Sequence, residues 1–204
     1  MPTYPLNLPN PSHISGLRPI PNSVVGVATS PFTGSQEVQE HQGQWFNMAV
    51  NLRPLTGIEA RRWAAFFTSL NGKAGTFVLQ CQPVFKPLGP AGGAPVVAGA
   101  AQTGNSLMTS GWDANATVLL AGDYIQVGSL PTPRLHMVRQ DVLTDGSGNA
   151  TIDIWPRLRE VPADGSVIVT DNPGGLFRLT SNQNPWDIET GLIYGFSFNA
   201  MEAI

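Results

Sequence analysis

Charge is what this 204-residue chain has least of. Asp, Glu, Lys and Arg together make up 12% of it, about half the ~25% of an ordinary soluble domain. A free monomer keeps itself apart from its neighbours with interspersed charge, so a surface this poor in charge points to cover by other subunits. Lys and Arg number 11 against 14 Asp and Glu, a net charge of -3, which lacks the basic footprint needed to grip nucleic acid or an anionic membrane. The one cysteine, Cys81, excludes an internal disulfide. No apolar run approaches the ~18 residues of a spanning helix. Met1-Pro2-Thr3-Tyr4-Pro5 has neither a basic start nor an apolar stretch, so no secretory address is expected.

Turn residues are abundant instead. Gly 22 and Pro 18 together give 40 residues, roughly a fifth of the chain against the usual ~12%, as in an all-β chain with many turns. Residues 1–22, broken by Pro2, Pro5, Pro9, Pro11, Pro19 and Pro21, read as an extended arm. A short strand is predicted at 24–30, and two longer ones at 35–41 and 44–52 with a turn at Gln42-Gly43. In the last of these Phe46, Met48, Val50 and Leu52 recur at period two, one face of a half-buried strand.

One helix is predicted, over 57–70. Thr56-Gly57-Ile58-Glu59 has the spacing of a capping box, with Thr56 as N-cap. Trp63, Phe66, Phe67 and Leu70 form one apolar stripe, a core face, and Asn71-Gly72 supplies the stop. A strand follows at 75–80. Residues 83–99, PVFKPLGPAGGAPVVAG, read as a crossing segment too rich in Pro and Gly for regular structure. Beyond it, strand candidates at 107–110, 124–127, 135–142, 150–154 and 166–170 are separated by turn chemistry, as in a small closed or nearly closed barrel. Asn172-Pro173-Gly174-Gly175 closes that stretch. A strand-like 177–179 follows, and then a long last strand in which Leu192, Tyr194, Phe196 and Phe198 alternate with Ile193, Gly195, Ser197 and Asn199. The expected architecture is mainly β: an outer barrel or sandwich domain of residues 1–88 and 174–204 carrying the one helix, with a small β-barrel of 89–173 inserted into it.

Two stretches carry a resemblance. Residues 122–179, with the Gly122-Asp123 and Asp145-Gly146 turns followed by Trp155-Pro156-Arg157-Leu158-Arg159, resemble a pattern in tail proteins of long, non-contractile-tailed bacteriophages. The helix and strand of 58–79 and the terminal YGFSFNAMEAI are similar to the β-barrel domain of distal tail proteins in the same viruses. The resemblance implies a virion structural protein of the tail tip, assembled in the host cytoplasm. It would form a homo-oligomeric ring, a hexamer, that joins the tail tube protein to the hub and other tip proteins, with the outer domain related to tube proteins. The arm at 1–22 and the charge-poor outer domain would be buried in those contacts. Distal tail proteins often carry a larger C-terminal domain than is seen here, so a related tip or minor tail protein also fits. Alternatives are a carbohydrate- or receptor-binding module, signalled by an exposed Trp112 or Trp155, and a tail-associated hydrolase.

Reactive constellations are scarce. Asp145, Ser147 and Asn149 alternate with glycines like a calcium loop, but the twelfth position is Pro156 where a bidentate Glu belongs, so a hairpin turn is favoured. His13, His41 and His136 have no paired spacing for zinc. Cys81 follows an apolar run and reads as a core thiol rather than a nucleophile, and no serine elbow is present. Asp123, Asp141 and Asp153 sit at turns and strand edges rather than as a paired set for glycoside hydrolysis. Arg157 and Arg159 either close the inserted barrel onto its own carbonyls or reach carboxylates of a neighbouring subunit. No catalytic, cofactor-binding or metal-binding residue, no cofactor, and no nucleic-acid or membrane contact is expected.

Overall fold

The computed structural model describes residues 2–204, apart from the side chains at 82 and 83. The chain is mainly β with one long helix; two large sheets each build a core, and a third, two-stranded sheet pairs Val142–Leu143 with Thr117–Leu119. The larger sheet has eight strands. Its main path runs Leu6–Asn7, Phe77–Gln80, Gly174–Leu179, Ile193–Glu202, Gln36–Leu52 and Ile14–Thr29, while Trp186–Glu189 and Leu55–Thr56 also pair with Ile193–Glu202. The helix Gly57–Leu70 buries Trp63, Phe66, Phe67 and Leu70, the stripe that its spacing predicts. Phe67 meets Phe198 at 5.2 Å and Phe66 meets Phe77 at 5.6 Å between ring centroids, edge-on arrangements that suit aromatic quadrupoles. Asn71, at φ 50, ends the helix in the left-handed region.

The second sheet has six strands in the order Ile168–Val169, Tyr124–Val127, Arg134–Val138, Ala150–Leu158, Gly104–Trp112 and Gly93–Val97. Its two edge strands meet in a Val96–Val167 bridge, and Val97 N donates to Ser166 O at 2.9 Å, so the sheet curls into a nearly closed barrel. Alternation along shared strands divides two cores. Ile125, Val138, Ile152 and Ile154 point into the barrel with Leu107, Val118 and Ile168. Their neighbours Leu135, Tyr124, Met137 and Trp155 press outward into the core of the larger sheet.

Several local expectations are corrected. The arm expected over 1–22 is not free within its described residues: Leu6–Asn7 pairs in parallel with Phe77–Val78, and Ile14 onward is already strand. His13 is buried and accepts from Trp63 Nε1 at 3.0 Å, which pins this segment to the helix. Gln42-Gly43 is not a turn but an irregularity in one continuous strand, Gln36–Leu52, where the pairing register shifts between Ser23 and Val25. Val24 fills the space there, since a Cβ on Gly43 would lie 2.8 Å from Val24 Cγ2. Thr56 makes no capping bond, because it is the last residue of a short strand paired to Ile193. The segment 83–99 is not wholly irregular: Gly93–Val97 is a barrel strand, its Pro95 sitting where the ladder register shifts, a place that tolerates a missing N–H.

Candidate functional site

The least expected feature is a hairpin. Ile14–Thr29 and Gln36–Leu52 pair antiparallel from Ile14↔Leu52 out to Thr29↔Gln36, with the turn at 30–35 rather than at 42–43. The inner part lies on the body, where Phe46, Met48, Val50 and Leu52 are buried. The outer part leaves it. Among residues 23–42 only Ser30 is even half-buried, and Phe32 at the tip is 95% exposed. Five paired positions, Val25–Thr29 against Gln36–Glu40, at ~3.4 Å each make a ribbon about 17 Å long before the turn.

This ribbon has two faces and two open edges. Val25, Val27 and Val38 share one face with Thr29, Gln36 and Glu40, Val27 directly opposite Val38 and Val25 opposite Glu40, while Gly26, Ala28, Glu37 and Gln39 share the other. All three valines are exposed. Ile14–Thr29 is the terminal strand of its sheet. The last strand, Ile193–Glu202, pairs with Gln36–Leu52 only at residues 47–51. Among the described residues, the outer half of the ribbon therefore has no strand on either side. Pro19 and Pro21 withhold donors near the body, a usual guard of an edge, whereas the outer ribbon has only Glu37, Glu40 and the register shift between Ser23 and Val25 to blunt it. A two-stranded ribbon alone in water is marginal, and this one is exposed on both faces and along both edges.

The chemically suggestive residues are occupied within the fold. Asp123 is buried and accepts from the backbone N–H groups of Leu88, Gly89 and Leu120 at 2.7–3.1 Å, which ties the 83–99 segment to the barrel. Asp141 accepts from Ala121 N at 2.8 Å, and Asp153 pairs with Arg139 at 3.4 Å. Asp145 accepts from Ser147 N, Asn149 N and Asn149 Nδ2. These bonds, led by those from Asn149, hold its carboxyl below the usual range. The geometry is that of a hairpin turn closed by its own Asp. Cys81 lies in the larger core, and burial raises its thiol pKa. Trp112 is buried and donates to Thr109 Oγ1, and Trp155 packs edge-on against Phe46 at 4.6 Å. Neither offers an exposed platform for a sugar ring.

Arg157 and Arg159 part company, and neither closes the barrel onto its own carbonyls. Arg157 contributes its backbone N–H to Gln44 Oε1 at 2.9 Å. Arg159, at the mouth of the barrel, reaches across to pair with Glu202 on the last strand. Glu202 is 1% exposed and also accepts from Phe46 N at 3.2 Å, so one buried carboxylate joins the barrel to the larger sheet. Arg134 supports the same seam by donating to Ala203 O and pairing with Glu160. Nearby, His136 is buried with its Nδ1 bonded to Pro156 O at 2.8 Å, and desolvation lowers its pKa to about 4.

Sequence reasoning missed the hairpin because the Gly43 irregularity imitates a turn. The signal that could have found it is the turn-rich cluster Ser30-Pro31-Phe32-Thr33-Gly34-Ser35, followed by 18 residues without proline up to Pro54. No helix is long and apolar enough to cross a membrane among the described residues. No family model matches the chain, and no curated protein matches it.

Proposed function

We propose that this chain is a non-catalytic structural subunit of a bacteriophage tail tip, repeated around the tail axis in a ring that joins the tube to the hub and receptor-binding apparatus. The observation that carries the reading is the projecting hairpin. It offers two unpaired backbone edges and three exposed valines, Val25, Val27 and Val38, on a chain with half the usual charge. One chain thus carries two open edges on one element. Contacts between unlike patches of identical copies close into a ring when the rotation divides a full turn, and every copy then loses both edges. The resemblance of residues 122–179 to tail proteins supplies the biological setting, with the particle as the place of function and a hexamer as the expected ring.

The test uses assembled tails. Subunit copies are counted in purified particles, and a variant in which 25–40 is replaced by a two-residue Asn-Gly turn is offered in place of the natural chain. The expected result is about six copies per tail, and a shortened variant that keeps a cooperative thermal transition but fails to enter particles. A single copy per tail, or full incorporation of the shortened chain, overturns the reading.

A further inference from the structure

Inside the barrel, one end is chemically unlike the rest. Arg134–Val138 and Ala150–Leu158 pair only at Met137↔Trp155 and Val138↔Ile154. Beyond that point the second strand swings away, with Leu158 opposite Gly104. The inward positions of Arg134–Val138, read toward this splayed end, are Val138, then His136, then Arg134. The barrel's apolar filling therefore stops at an imidazole and a guanidinium. A cavity of about 190 Å³ opens there, bounded by Val127, Leu158 and Pro162 on its apolar side and by Arg134, His136 and Arg159 on its polar side. Thr132 and Ser166 stand at its lining too. For scale, a cavity of ~150 Å³ takes up a benzene ring.

Three nitrogens around this cavity lack a partner among the described residues. Arg134 is held from outside by Glu160 and by Ala203 O, yet its Nε is buried and unbonded. Arg159 is held by Glu202, yet its Nη1 is buried and unbonded. Pro156 O can only accept, so the bonded Nδ1 of His136 carries the ring hydrogen. With the imidazole neutral, Nε2 is left as an unpartnered acceptor. A buried polar group left unmade costs about 1–3 kcal/mol, and more when charged, so Arg134 Nε and Arg159 Nη1 call for an acceptor, while His136 in the cavity lining offers an acceptor of its own. An occupant must accept hydrogen bonds from two guanidinium groups and donate one to an imidazole. A carboxylate satisfies the first demand, and a hydroxyl beside it satisfies the second.

We propose that the mouth of the barrel is a binding pocket for a small hydroxycarboxylate, a class that includes free hydroxy acids and the uronic acid units of surface glycans. The carboxylate lies between Arg134 and Arg159, and the hydroxyl donates to His136 Nε2. The paired glutamates Glu160 and Glu202 hold the two guanidinium groups in place and cancel their charge from behind. Binding therefore depends on oriented donors rather than on a net positive patch. The apolar wall of Val127, Leu158 and Pro162 suits the carbon skeleton of one six-membered ring or a shorter acid. This site is independent of the hairpin and of the ring assembly.

The test is a titration of the full chain at pH 7, followed by calorimetry and by the imidazole resonances of His136. The probes are D-glucuronate, methyl glucuronide and lactate, with D-glucose and acetate as controls that each lack one of the two features. At least one hydroxycarboxylate is expected to bind ten-fold or more tightly than both controls and to shift the His136 resonances. A preference for the glucuronides identifies a glycan unit as the source, and a preference for lactate identifies a free acid. Thr132→Trp fills the mouth from an exposed position that takes no part in the seam, so it keeps the fold and is expected to weaken binding at least ten-fold. The proposal is overturned if no hydroxycarboxylate outbinds glucose and acetate, or if Thr132→Trp binds unchanged.

Discussion

Removing one partner of the Arg159–Glu202 pair should cost far more than removing both. The pair lies at the seam between the barrel and the larger sheet, with the two side chains 14% and 1% exposed. In Arg159→Met the carboxylate of Glu202 stays buried with only the Phe46 N–H to answer it. Breaking a buried pair in this way costs roughly 3–5 kcal/mol, and the remaining N–H places the expectation near the lower end, about 3 kcal/mol. For a chain of this length each 1 kcal/mol moves the melting temperature by about 2–4 °C, so a drop of roughly 6–12 °C is expected. Glu202→Leu should cost a similar amount, because it strands the Arg159 guanidinium in the same place. The double variant joins two apolar side chains across the seam and should come back to within about 1 kcal/mol of the natural chain, since apolar replacement of buried pairs is often neutral. Urea unfolding of the four proteins completes the cycle. A double variant whose loss equals the sum of the two single losses would refute the reasoning, because it would mean that the two charges do not answer one another.

Three further outcomes follow from the local geometry. Stability should fall with acid between about pH 6.5 and pH 4: burial lowers the folded pKa of His136 to about 4 and also lowers that of His13, so below 6.5 the unfolded chain takes up protons that the folded chain refuses. His136 alone accounts for on the order of 3 kcal/mol of that loss, and urea midpoints that stay flat over this interval, or that drop equally in His136→Gln, would contradict the assignment. Thr56→Ala should change stability by less than about 0.5 kcal/mol, since Thr56 gives no capping bond; a loss near the ~1 kcal/mol of an N-cap in a thermal melt would restore it as the cap. Gly148→Ala should cost more than about 1 kcal/mol, because Gly148 has φ +74 and an added Cβ would sit 2.2 Å from Trp112 O; a melting temperature equal to that of the natural chain would mean that the Asp145 loop yields freely.

Some of this molecule could be read one residue at a time. The helix needed only Trp63, Phe66, Phe67 and Leu70 at helical spacing and Asn71-Gly72 to stop it, since a single apolar stripe has to be covered whatever covers it. The barrel strand Tyr124–Val127 and the buried alternation of Phe196 and Phe198 were legible for the same reason: period two survives any packing partner. The Asp145 turn was legible because its bonds close within five residues.

What the tertiary structure alone decided are matters of pairing between distant residues. Thr56 has the chemistry of a cap, yet pairing with Ile193 held it in a strand and left its hydroxyl unused. Arg159 chose Glu202, 43 residues away, because only the folded seam brings the last strand beside the barrel. At Gly43 the chain runs on through a register shift rather than turning, and Val24 on the opposite strand occupies the space that a side chain there would need. That one local event turned two short strands into a single hairpin standing clear of the body. Alternation can mark which face of a strand is apolar, but which edge remains open depends on where every other strand has gone, and that information is not local.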